Sequence, residues 1–120
     1  MSYYFSKLLS RNGFDEVIAR VTEALRAEGF GILTEIDVRA TMKTKLDEDF
    51  RDYRILGACN PPLAHQALQA EDKIGTMLPC NVIVQATGDG VEVAAVDPVA
   101  SMQAVDNPDL TRIAETVRDK

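Results

Sequence analysis

The clearest periodic pattern along the chain is helical and follows the turn-forming pair Asn12-Gly13. Apolar residues then recur at intervals of three and four, which places them on one face of an α-helix. These residues are Phe14, Val17, Ile18, Val21, Ala24 and Leu25. Gly29 suits the left-handed position after a helix end, and Phe30 then lies where a Schellman cap packs an apolar side chain. The pattern predicts a helix that ends near Glu28.

Strand patterns occur on both sides of this helix. The stretch from Tyr3 to Leu9 mixes aromatic and aliphatic residues, which predicts a first strand. After the helix, four apolar or β-branched residues occupy every second position. They are Ile32, Thr34, Ile36 and Val38. A period of two is typical of a strand, so we expect these four side chains on one buried face.

The middle of the chain is predicted to form a surface helix, a strand and a further helix. Charged residues crowd together between positions 39 and 52, and large apolar residues there are spaced four apart. This spacing indicates a helix with a thin apolar stripe. Residues 53–59 have strand character, and Asn60-Pro61 then supplies a helix N-cap and first helical position.

The last third of the chain is predicted to form a hairpin followed by two helices. Alternating strands over residues 80–86 and 91–95 flank Gly88-Asp89-Gly90, which is a hairpin turn sequence. Asp97-Pro98 and Asn107-Pro108 each place an N-cap residue before a proline at the first helical position, which predicts two more helix starts. The predicted order is β-α-β-(α)-β-α-β-β-α-α.

Length and charge narrow the classes of function. At 120 residues, the chain has the size of one domain, spanning residues 1–120. It carries 13 Lys and Arg against 19 Asp and Glu, for a net charge of −6. An acidic surface repels phosphates, so we expect neither nucleic acid nor an anionic membrane as a partner.

No targeting signal is recognisable in the sequence. The first ten residues are too short and too interrupted for a signal peptide, and no apolar stretch approaches the roughly 18 residues that cross a bilayer. We therefore expect a cytoplasmic protein. In that reducing compartment, Cys59 and Cys80 are expected as free thiols, ligands or redox groups rather than as a permanent disulfide.

Two Cys-Asn pairs are the residues most suited to chemistry. Cys59-Asn60 lies between a predicted strand and a predicted helix, where the positive end of the helix dipole stabilises a thiolate. Cys80-Asn81 begins a predicted strand directly after Pro79. Thiols beside amides that donate and accept hydrogen bonds can orient a small ligand. Both cysteines also fit a buried hydrophobic position, and their separation in sequence leaves open whether they meet in space.

Two further kinds of site have partial support. Soft metals such as Cu(I) accept thiolate and thioether ligands, so Met77 or Met102 could join the two cysteines. His65 is the single histidine and hence the one imidazole available as a base near neutral pH. Its predicted position is the solvent face of the helix.

The two motifs resemble the signature of a known family. Gly57-Ala58-Cys59-Asn60-Pro61 and Leu78-Pro79-Cys80-Asn81 together resemble that of the domain of unknown function 302 (DUF302) family. The resemblance extends to Glu28-Gly29-Phe30, Tyr53-Arg54-Ile55-Leu56 and Asp97-Pro98. It implies a compact single α+β domain that forms a homodimer, with the Cys-Asn segments as its most characteristic features. It implies no established activity, and it identifies no cofactor or metal.

Taken with the element order, the resemblance predicts a mostly antiparallel sheet of about five strands with helices packed on one face. Three functions are compatible with it. The preferred one is a homodimeric binding domain in which Cys59, Asn60, Cys80 and Asn81 hold a small polar or thiol-reactive ligand or a soft metal ion. The second is a thiol or sulfur enzyme with Cys59 as nucleophile and Cys80 as resolving thiol. The third is a structural domain with inert core cysteines.

Overall fold

Five strands and four α-helices follow one another in the computed structural model, which describes residues 3–10, 13–101, 113 and 115–117. The strands are β1 (Tyr4–Leu9), β2 (Gly31–Asp37), β3 (Tyr53–Cys59), β4 (Cys80–Thr87) and β5 (Gly90–Val96). The helices are α1 (Phe14–Ala27), α2 (Val38–Leu46), α3 (Pro61–Ala70) and α4 (Pro98–Ser101), and a 3₁₀ helix spans Asp72–Met77. None of the helices in this described part is long and apolar enough to cross a bilayer.

The strands form one antiparallel sheet in the order β1-β5-β4-β3-β2. Strands β2 to β5 are neighbours in sequence order, whereas β1 pairs with β5, with Tyr4 opposite Val96. As a result, β1 and β2 lie at opposite edges of the sheet and run in the same direction. Helix α1 connects them and has to cross the sheet. The predicted antiparallel α+β fold is confirmed.

The core lies between α1 and one face of the sheet, here called the helix face. Val17 of α1 and Leu56 of β3 are both fully buried. They pack with Val82, Val84 and Val91 from the two following strands. A second, smaller cluster joins α3, the 3₁₀ helix and the C-terminal segment through Ala67, Ile74 and Ile113.

The end of α1 matches the prediction. Gly29 has a left-handed φ of +88°. The N–H of Gly29 donates to the carbonyl of Arg26 (3.0 Å), and the N–H of Phe30 donates to that of Leu25 (2.8 Å). This pair of bonds defines a Schellman motif, and Phe30 is buried beside it.

The predicted burial of β2 is wrong because of a β-bulge. The register shifts between Ile32 and Thr34, so that Leu33 is an extra residue without a partner. Ile32 remains on the helix face, but Thr34 and Ile36 turn to the opposite face, and Ile36 is 48% exposed. Because side chains alternate along a strand, one inserted residue exchanges the two faces beyond it.

Helix α2 is shorter than the predicted 39–52 segment, and it already begins at Val38, which the alternation had assigned to the strand. Leu46 is its last residue, and Asp47 adopts a left-handed φ of 54°. The acidic run from Asp47 to Asp49 is unfavourable near a helix C-terminus, where the dipole is negative. In contrast, the predicted N-caps at Asn60 and Asp97 are both formed. The helix start predicted at Asn107-Pro108 lies outside the described residues.

Candidate functional site: two thiols at one apolar cavity

The two cysteines are brought to the same end of the sheet by the pairing of β3 and β4. Cys59 is the last residue of β3, and Cys80 is the first residue of β4. In the antiparallel register, Ala58 lies opposite Cys80. Cys59 is therefore one residue beyond the paired position. The sequence leaves their proximity open, and the register shows that the two cysteines are neighbours.

Both cysteines line one cavity of about 260 Å³ between the strand ends, α3 and the C-terminal segment. Its other lining residues are Phe30, Leu33, Ala58, Asn60, Leu63, Ala64, Ala67, Leu68, Leu78, Pro79, Ile113 and Val117. None of these side chains is charged. The cavity therefore offers two sulfurs and one amide within an otherwise apolar wall.

Asn60 and Asn81, the amides of the two motifs, have different environments. The N–H of Leu63 donates to Asn60 Oδ1 (3.3 Å), so this amide caps α3 while lining the cavity. Asn81 is exposed and does not line that cavity. Strand alternation turns its side chain to the face opposite Cys80. The structure thus brings together Cys59, Asn60 and Cys80 at this cavity, whereas Asn81 does not line it.

Gly57, the first residue of the first cysteine motif, is a positioning residue. A Cβ built on Gly57 would overlap the Thr34 hydroxyl and would lie 2.6 Å from Cγ of Pro79. The Leu78–Pro79 peptide bond is cis, and Cys80 follows it directly. The missing side chain of Gly57 lets β2 and the Pro79 ring approach β3 closely. Both cysteine motifs are therefore fitted around this glycine.

The Cys80 thiol is held in its neutral form. Burial raises the pKa of Cys80, and the nearby Cys59 thiol raises it further, because a second thiolate would be repelled. A raised pKa leaves the protonated thiol dominant near neutral pH. Cys80 is accordingly suited to contact a ligand or to react slowly, and not to act as a strong nucleophile.

This shift predicts a loss of stability at alkaline pH. When the pKa is higher in the folded than in the unfolded state, unfolding releases a proton once pH exceeds the unfolded value of about 8.5. We expect the free energy of unfolding of the wild type to fall relative to Cys80→Ala between about pH 8 and about pH 10. Urea denaturation of both proteins across this range measures the difference. If the difference in free energy of unfolding between the two proteins were independent of pH, the raised pKa of Cys80 would be contradicted.

Two of the other sequence candidates, His65 and Met77, do not line the cavity. His65 is exposed on α3 and does not line it. Met77 is 41% exposed, and Met102 lies outside the described residues. Within the described ranges, no group of three His, Cys, Asp or Glu side chains is placed to hold a metal ion. Any soft-metal site there would rest on the two thiols.

Comparison with known proteins agrees with the motifs. A crystal structure of an uncharacterized conserved DUF302 protein from Bacillus stearothermophilus superposes with a TM-score of 0.91 at 28% sequence identity, covering 99% of this chain and 92% of that chain. No curated protein matches the chain. The family described as "Domain of unknown function DUF302" matches residues 6–120. The chain therefore belongs to the DUF302 family.

Proposed function

We propose that this chain is a ligand-binding domain whose cavity holds a small apolar or thiol-reactive molecule against Cys59 and Cys80. The observation that carries the proposal is the convergence of two thiols from neighbouring strands on one apolar cavity. Ligand sites in proteins are mostly apolar, with a few placed polar groups. Here those groups are two sulfurs and the Asn60 amide.

The surroundings of the thiols favour binding over catalysis. A cysteine nucleophile needs a lowered pKa or an adjacent base. The single histidine, His65, is exposed on α3 and does not line the cavity, so it is not placed as a base for Cys59, the candidate nucleophile. Burial raises the pKa of Cys80, the candidate resolving thiol, which makes it a weak partner for thiol exchange. The apolar wall also favours an apolar or thiol-reactive ligand over a strongly polar one, since burying an unpaired polar group is costly.

The proposal includes a homodimer that covers the sheet face opposite α1, here called the open face. Tyr4, Leu8 and Ile36 point to that face and are 43%, 48% and 48% exposed. Five strands about 4.8 Å apart and about 20 Å long span a planar area of roughly 500 Å². Because side chains project from the sheet, the accessible area of this face exceeds the planar area. It thereby approaches the roughly 800 Å² that each partner of a stable interface buries. A cytoplasmic location also fits the two free thiols.

Native mass spectrometry of protein purified without reductant or chelator tests the proposal. We expect a dimer with one adduct per chain, whose mass distinguishes an organic ligand from a metal ion. Ala64 lines the cavity and Gln66 is exposed on the same helix, so Ala64→Leu should reduce the adduct and Gln66→Leu should retain it. A ligand held through sulfur is also lost in Cys59→Ser or Cys80→Ser.

Two outcomes would contradict this proposal. A bare mass in the wild type, both as purified and after incubation with excess 1-hexanol, would refute ligand binding in the cavity. A monomer at micromolar protein concentration would refute the dimer, and Ile83→Glu on the open face is the variant expected to produce that monomer from a dimeric wild type.

A further inference from the structure

A second cavity of about 170 Å³ adjoins the first. Four residues line both of them, namely Phe30, Ala58, Cys80 and Val117. Beyond these four, the second cavity extends to Asn81 and Val82 of β4, Ala95 of β5 and Phe5 of β1. The two spaces therefore adjoin at Cys80, and together they extend across the sheet from the α3 side toward the β1 edge.

We infer that the two cavities together form one binding channel for an elongated, unbranched apolar molecule whose chain passes over the Cys80 thiol. This inference rests on the proposed function and names the class of ligand. It assigns one molecule to both spaces, with its chain lying across the strands.

Small side chains form the floor of this channel. On the helix face, Ala58 of β3 lies opposite Cys80 of β4, and Ala95 of β5 lies opposite Val82, one step further along the strands. One position further along the same face, Leu56 and Val82 are bulky and fully or nearly buried under α1. The first cavity therefore lies above Ala58 and Cys80, and the second continues past Val82 to Ala95, where the small side chain leaves room beside the bulky one.

The volumes favour one ligand over two. Sites for small molecules typically enclose about 300–1,000 Å³. Each cavity alone is below this range, at about 260 Å³ and about 170 Å³, whereas their combined volume lies within it.

The dimensions of the sheet set the length of the ligand. From Ala58 on β3 to Phe5 on β1, the channel crosses three inter-strand spacings, or about 14 Å. An extended chain gains roughly 3.5 Å over three covalent bonds. About twelve carbon atoms in line therefore span the channel.

The chemistry of the walls sets the polarity of the ligand. No described lining residue of either cavity carries a charged side chain, so a charged group inside would lack a counter-ion and lose its hydration. The chain of the ligand is accordingly a hydrocarbon, and any polar end group lies beside the Asn60 or Asn81 amide or outside the channel.

A series of straight-chain primary alcohols, from 1-hexanol to 1-dodecanol, tests the length. Binding to the wild-type protein is measured by calorimetry, and protection of Cys80 from N-ethylmaleimide is followed by peptide mass spectrometry. We expect the dissociation constant to fall about fourfold for each added methylene group, up to about twelve carbons, as full burial of each group predicts. We also expect one alcohol per chain and stronger protection of Cys80 with increasing length.

Two substitutions test the contributions of the two cavities separately. Ala95→Leu fills the far cavity, so the gain in affinity should stop near 1-heptanol while 1-hexanol binding is unchanged. Ala64→Leu narrows the first cavity and should weaken every alcohol. Ala24→Leu, on the exposed side of α1, is the matched control. It should change neither the affinity for 1-hexanol nor the chain length at which the gain in affinity stops.

The wild-type series decides the question even if Ala95→Leu fails to fold. A plateau near seven carbons, or two long alcohols per chain, would overturn the single-channel inference and leave the proposed function intact. Absence of binding by every alcohol would overturn the single-channel inference, and together with a bare mass of the purified protein it would overturn the proposed function as well.

Discussion

Replacement of Gly57 by alanine is expected to destabilise the fold by about 3 kcal/mol, the upper end of the usual cost of overpacking. The new methyl group would overlap the Thr34 hydroxyl and press on Pro79, 2.6 Å away. Neither neighbour can move away easily, because Thr34 is held in β2 by strand pairing and the proline ring is rigid. The strain falls on the two strands adjacent to β3.

Chemical denaturation of Gly57→Ala, compared with the wild type, measures this cost. Gly75→Ala is the matched control, because a Cβ at Gly75 meets nothing within 4 Å, and it should change stability by no more than about 0.5 kcal/mol. Adding Thr34→Ala to Gly57→Ala should recover part of the loss by removing one of the two clashes. Equal stability of the Gly57 and Gly75 variants would refute the close packing at Gly57.

Leu56→Ala is expected to cost about 3 kcal/mol, within the range for removing a large buried aliphatic side chain. Leu56 is fully buried between Val17 of α1 and its neighbours on β4. Truncation leaves a void in the middle of the sheet that the rigid strands cannot close. The position also adjoins the channel, because Ala58 follows it on the same face of β3.

Thermal and urea unfolding of Leu56→Ala provide the measurement. Leu46→Ala is the control for the same chemical change, since Leu46 is 64% exposed and its loss should cost no more than about 0.5 kcal/mol. Comparable losses in the two variants would show that Leu56 does not anchor the core.

Local rules account for the parts of this fold that sequence predicts well. The Schellman end of α1 needs only a glycine that adopts a positive φ, and the N-cap of α3 needs only Asn60 before a proline. Both depend on residues within one turn of each other. Strands β3, β4 and β5 were likewise predicted to within one or two residues, because their apolar residues and turn glycines are contiguous.

Features that depend on distant residues escaped the sequence patterns. The bulge in β2 reverses the burial of Thr34 and Ile36, although alternation continues without interruption in the sequence. Three of the four predicted site residues line the cavity, but walls that come from other elements, such as Phe30 and Val117, were not predicted. Asn81 illustrates the limit: it follows a cysteine as Asn60 does, yet a strand turns it away from the cavity whereas a helix start keeps Asn60 beside it.

The pairing of β1 with β5 also constrains the order in which this protein can be assembled on the ribosome. Strands β2 to β5 pair with sequence neighbours, so each can join as it emerges. β1 is made first, yet its partner ends at Val96, and Tyr4 lies opposite that residue. Because the chain segment between β1 and β5 is long, pairing these two strands loses more conformational entropy than any other strand pairing in the sheet. The β1 edge of the channel, with Phe5 against Ala95, is therefore completed only after nearly the whole sheet has been synthesised.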